Sequence, residues 1–131
     1  MRILLRCLVV VGIGTVVLTA GGCGEAKPTP PPGLPDAYMA GWQVYADLNC
    51  ASCHGDLREG KRSGPVLTGL ETHWTRDQLV EYVKNPDAMI KSNPRLAYKA
   101  EKYPIAMPGY ADKADEANLG ALAGYLLYDL E

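Results

Sequence analysis

Phenylalanine is absent from this chain of 131 residues, and histidine occurs only twice. Every aromatic is therefore Tyr or Trp, an apolar body with a polar tip. No run of Lys and Arg occurs either. The 13 basic residues are dispersed among 15 acidic ones, for a formal charge of −2. A nucleic-acid binder needs a clustered basic footprint, so that class is excluded. No segment alternates apolar and polar residues convincingly, which excludes a sheet-built fold. No pairing of base and nucleophile suggests catalysis, so the chain is not expected to be an enzyme or to take a small-molecule substrate. The length fits one domain. With 47% apolar residues the chain is expected to fold. Four cysteines would make a disulfide scaffold only if all belonged to the mature fold, and they do not.

Residues 1–22 read as an address. Arg2 and Arg6 form a basic start, Cys7 to Ala20 an almost uncharged apolar run, and Gly21-Gly22 a small-residue break. That is a secretory signal, too short for a membrane-spanning helix of about 20 apolar residues. Thr19-Ala20-Gly21-Gly22-Cys23 resembles a bacterial lipobox, in which Cys23 becomes the lipidated first residue. Soluble export and an uncleaved anchor are the alternatives. All three place the remainder outside the cytoplasm, on the periplasmic side of a bacterial membrane or at the outer cell surface. Removal of residues 1–22 leaves 11 basic and 15 acidic residues, a charge of −4. Residues 23–35 then hold five prolines and favour extended polyproline geometry. Thirteen such residues reach roughly 40 Å, enough to tether a domain clear of a membrane. The folded unit is residues 36–131.

Within it, Asp36 is placed to cap a helix whose apolar face carries Tyr38, Trp42 and Tyr45 and which ends near Asn49. Residues 55–71 are glycine-rich loop. Thr75 and Gln78 form a capping-box pair for a helix to Lys84, which Asn85-Pro86 stops. Short turns are expected over Asp87–Lys91 and Tyr98–Lys102, and a last helix over Lys113–Leu130. The fold class is all-α with long loops. Helices this short bury little surface, so a large apolar cofactor is expected to fill the centre.

Cys50-Ala51-Ser52-Cys53-His54 supplies the candidate: C-x-x-C-H is the pattern of c-type haem attachment. Two thiols three residues apart can add to the two vinyl groups of one porphyrin, and the next residue then lies over the iron. A thioredoxin-like redox pair would want a preceding strand. A zinc site would need four ligands, with only His73 near. A simple disulfide is the remaining alternative.

Over residues 36–131 the chain resembles the class I cytochromes c. Gly41 and Tyr45 resemble the Gly–aromatic pair of that family's first helix, one residue further from the first cysteine than usual. Leu122 and Tyr125 match the Leu-x-x-Tyr face of its last helix. Gly64-Pro65-Val66-Leu67 resembles the loop whose Pro carbonyl accepts from the proximal His, and Met107-Pro108-Gly109 resembles the distal-ligand loop. The resemblance implies a cytochrome c fold and one haem c held covalently by Cys50 and Cys53. His54 and Met107 are the implied axial ligands, with Pro65 behind the imidazole. For the sixth position Met39, Met89 and His73 stand beside Met107, which lies 53 residues after His54 in a Pro-bounded loop. Trp74, Tyr98, Tyr103 and Tyr110 are candidate donors to the haem carboxylates.

The expected function is electron transfer by a membrane-tethered carrier, with an oxidase, reductase or dehydrogenase as redox partner. The charge of −4 favours a basic partner surface. The alternatives are a haem c subunit of a larger oxidoreductase, and a haem enzyme or gas sensor with an open distal site.

Overall fold

Pro35 ends the proline-rich segment, and helix α1, Asp36–Asp47, follows directly from it. The computed structural model describes residues 28–130; the expected leader, Cys23 and the first part of the tether lie outside them. Pro35, and not Asp36, occupies the N-cap, because its fixed backbone angle already presents an extended residue there. Asp36 sits in the first turn, where its charge suits the helix N-terminus. The helix stops at Asp47, earlier than expected, because Asn49 adopts a left-handed backbone, φ 55°, that Asn tolerates. The chain then turns into the single helical turn α2, Ala51–His54.

A 3-10 turn at Leu70–Thr72 leads to α3, Arg76–Lys84. Its start is the expected reciprocal box: Gln78 N donates to Thr75 Oγ1, and Thr75 N donates to the Gln78 side chain. Two short helices follow, α4 over Pro86–Ser92 and α5 over Pro94–Ala100. They replace the two isolated turns expected from sequence. Asn-Pro occurs twice, at 85–86 and 93–94, and each pair starts a helix as well as ending one. The Asn side chain accepts from the first-turn amides, and Pro at the first helical position forfeits no hydrogen bond.

The last helix, α6, is Glu116–Leu127. It begins three residues later than expected, since Asp115 caps it by accepting from Asn118 N at 2.8 Å. Its buried face, Leu119, Leu122, Ala123, Tyr125 and Leu126, packs on Trp42, Val44 and Tyr45 of α1 and on Leu79, Val80 and Val83 of α3. Full burial of such side chains stabilises the fold by about 1.5–3 kcal/mol each. The α1–α6 crossing is tight at Gly41. A Cβ there would stand 2.6 Å from Tyr125 Cβ and collide with the Ala121 carbonyl oxygen. The Tyr45 and Tyr125 rings meet edge to face beside it, centroids 5.6 Å apart. Among the described residues there is no strand, only an isolated bridge between Lys61 and Gly64. The fold is all-α, and the inner faces of α1, α3 and α6 close around a cavity.

Candidate cofactor site

The cavity measures about 440 Å³, within the range of small-molecule and cofactor sites. Its walls are largely apolar and include Leu67, Leu79, Val83, Leu122 and Leu126. Cys50, Cys53 and His54 enter from the α2 turn, Pro65 from the glycine-rich loop, and Met107 from the loop before α6. The structure thus brings together all five residues singled out around the expected group.

Local hydrogen bonding sets the α2 turn. Cys50 N donates to Tyr45 O, continuing the chain out of α1, and His54 N donates to Cys50 O, both at 3.0 Å. The two thiols therefore lie one helical turn apart with the imidazole next in line. Both cysteines are free, so the disulfide alternative is not realised. Burial pushes the Cys50 thiol up to about 11, which keeps it protonated.

His54 is buried, and its Nδ1 lies 2.9 Å from the Pro65 carbonyl oxygen. A carbonyl can only accept, so Nδ1 carries the hydrogen and Nε2 is left with a free lone pair. Burial holds the imidazole below its usual pKa, with the Pro65 hydrogen bond partly opposing that shift. A neutral ring with one nitrogen fixed as donor is the form a metal ligand needs. Gly64 makes this arrangement possible. A Cβ at that position would lie 2.9 Å from Cys53 O and 3.1 Å from His54 Cε1.

The four candidates for the opposite side separate cleanly. Met107 is half-buried and lines the cavity. Met39 packs against the core cluster, Met89 lies on α4, and His73 is exposed; none of these three lines the cavity. The Met107 loop is tied to α3 by Tyr110 N donating to Val83 O at 3.0 Å. Trp74, Tyr103 and Tyr110 line the cavity as well. Tyr98 does not: it is exposed, with Lys102 Nζ 4.3 Å from its ring centre.

Two lining residues were not anticipated. Arg95 and Lys99 stand four apart on α5 and, with His54, are the basic side chains of the wall. Their signal was the Asn93-Pro94 helix start, which puts them on one helical face. They make the charge of the cavity wall positive. A soft thioether, a neutral imidazole, two thiols on one turn, apolar walls and two cations together fit a covalently held haem with its two carboxylates.

A family model described as cytochrome c matches residues 38–128, a span that contains every one of these site residues. No curated protein and no solved structure matches the chain.

Proposed function

The chain belongs to the cytochrome c family, whose members bind haem c covalently through cysteines for electron transfer, and from that premise we propose a monohaem carrier. Cys50 and Cys53 would hold the haem, with His54 and Met107 as its axial ligands. One attachment motif in the chain supports one haem. The observation that carries the reading is the convergence of Cys50, Cys53, His54 and Met107 on a single cavity, with His54 Nε2 free.

Haem bound there supplies one-electron exchange. The rest is the work of this chain. Pro65 holds the His54 ring in one tautomer through Nδ1 and strengthens it as a ligand. Leu67, Leu79, Val83, Leu122 and Leu126 exclude water from the wall. Arg95 and Lys99 offer positive charge to the haem carboxylates. Met107 would supply a thioether, which raises the reduction potential, and with His54 it would leave the iron no place for a substrate. We further propose that Cys23 is lipidated and that residues 23–35 tether the domain outside the cytoplasm. Its partner there would be an oxidase, a reductase or a dehydrogenase.

A second reading, a haem c subunit of a larger oxidoreductase, draws on exposed Val66 and Ile105 at the cavity wall. A permanent partner would cover such side chains. Purification as a single chain favours the carrier; stable co-purification with a catalytic chain favours the subunit.

The ligand assignment is tested by Met107→Ala. The haem is expected to remain attached while the reduction potential falls. An unchanged potential rejects Met107 as ligand.

A further inference from the structure

Arg58 is fully buried, at 0% exposure, and its backbone is held in the left-handed region, φ 64°. A long charged residue rarely occupies such a place, and a strained backbone persists only where its surroundings over-determine it. Its Nη1 donates to the carbonyl oxygens of Tyr125 and Leu126 at 2.9 and 3.0 Å, and Nη2 donates to that of Tyr128 at 2.7 Å. The guanidinium carbon lies 4.7 Å from the Tyr125 ring centre. Nε has no partner. Among the described residues no carboxylate comes within 4 Å of it.

The backbone of Arg58 belongs to the same site. Its N–H donates to Gly55 O, one residue past His54, and its carbonyl accepts from Leu67 N, two residues past Pro65. Leu67 and Leu126, both hydrogen-bonded to this residue, line the cavity, as does Tyr45, whose ring meets that of Tyr125. Arg58 is thus one side-chain layer from the cavity and tied to the chain on both sides of the His54–Pro65 turn.

We infer that Arg58 is a potential-setting residue, whose buried cation, met at hydrogen-bond range only by helix-end carbonyls, favours the reduced state of the group in the adjacent cavity. The inference rests on the reading of that cavity as a haem site. Carbonyl dipoles at a helix C-terminus offset part of a unit charge, and the remainder acts through a medium that screens weakly. Solvent lysines are screened by salt; this buried charge is screened much less. The groups facing it are Tyr125 from α6, Tyr45 from α1, Asp129 beyond α6 and Glu71 in the 3-10 turn. Both tyrosines are kept neutral by burial, so neither cancels the cation.

The experiment compares reduction potentials of the haem-loaded full chain and of the R58Q and R58K variants, at low and high salt and across pH. R58Q is expected to have a lower potential than the parent, by nearly the same shift at both salt concentrations. R58K is expected to match the parent at low pH and to drift toward the R58Q value as pH rises, because a buried ammonium, unlike a guanidinium, loses its proton. R58Q that holds haem at the parent potential overturns the inference and leaves Arg58 a clasp for α6. If R58Q does not accumulate, R58K decides alone: a potential that falls away from the parent's with pH supports the charge, and parallel curves overturn it. A parent chain without covalent haem defeats the haem reading instead, so the two failures are distinguishable.

Discussion

His54 Nδ1 donates to the carbonyl oxygen of Pro65 at 2.9 Å, across a turn in which a Cβ at Gly64 would press on both the imidazole and the Cys53 carbonyl. The ring's orientation is therefore fixed by backbone, with no side-chain partner that could rotate away. Gly64→Val fills that contact. It is expected to destabilise the haem-loaded protein by about 1–3 kcal/mol, the usual cost of overpacking. Urea unfolding followed by the visible spectrum measures it. An unchanged midpoint would show that the turn yields freely.

The α1–α6 crossing is the second tight contact. Gly41→Val would push a side chain into the Ala121 carbonyl and Tyr125 Cβ. These are backbone and near-backbone atoms that cannot rotate aside, so the helices must separate. A loss of about 3 kcal/mol is expected, visible as a fall in Tm. The Tyr45–Tyr125 contact is expected to loosen with it, which near-ultraviolet circular dichroism would register.

Two buried phenols make opposite predictions. The Tyr45 hydroxyl donates to Gly55 O at 2.7 Å, whereas the Tyr125 hydroxyl has no partner. Tyr45→Phe is expected to cost about 1 kcal/mol, and Tyr125→Phe to stay within about 0.5 kcal/mol of the parent. Equal losses in urea unfolding would contradict this pairing.

The same phenols govern alkaline stability. Burial is the main cause that raises the pKa values of Tyr45, Tyr82, Tyr110 and Tyr125 above the usual 10.0. Unfolded phenols release their protons near pH 10 while the folded ones keep them. Stability from this source is therefore complete below pH 10 and lost as pH rises above it. Tyr125→Phe removes one such group and is expected to make that decline shallower, by up to about 1.4 kcal/mol per pH unit. Identical alkaline slopes in the two proteins would refute the assignment.

Local signals carried much of this structure. Thr75 and Gln78 announced α3, Cys50-x-x-Cys53-His54 announced the site, and the shortage of helical surface announced a central cavity. Met107 was distinguishable from Met39 and Met89 by its loop, and Pro65 by its resemblance alone. Where the reading fell short, the cause was tertiary or ambiguous. Asn85-Pro86 reads as a stop, yet the same two residues are an N-cap and a first helical position. The second Asn-Pro pair then hid α5, and with it Arg95 and Lys99. Arg58 sits in a stretch that reads as glycine-rich loop. Its partners are 67 to 70 residues away along the chain, and no local pattern reports a pairing of that range.

The most direct test of the central claim is the visible spectrum of the oxidised and reduced full chain, matured in a host with c-haem attachment machinery. The expected result is covalent haem with the weak far-red band of a methionine sulfur–ferric iron bond, lost in Met107→Ala. Covalent haem without that band in the parent contradicts the His54–Met107 pair and moves the assignment toward an open or nitrogen-ligated distal site. No covalent haem at all contradicts the account as a whole.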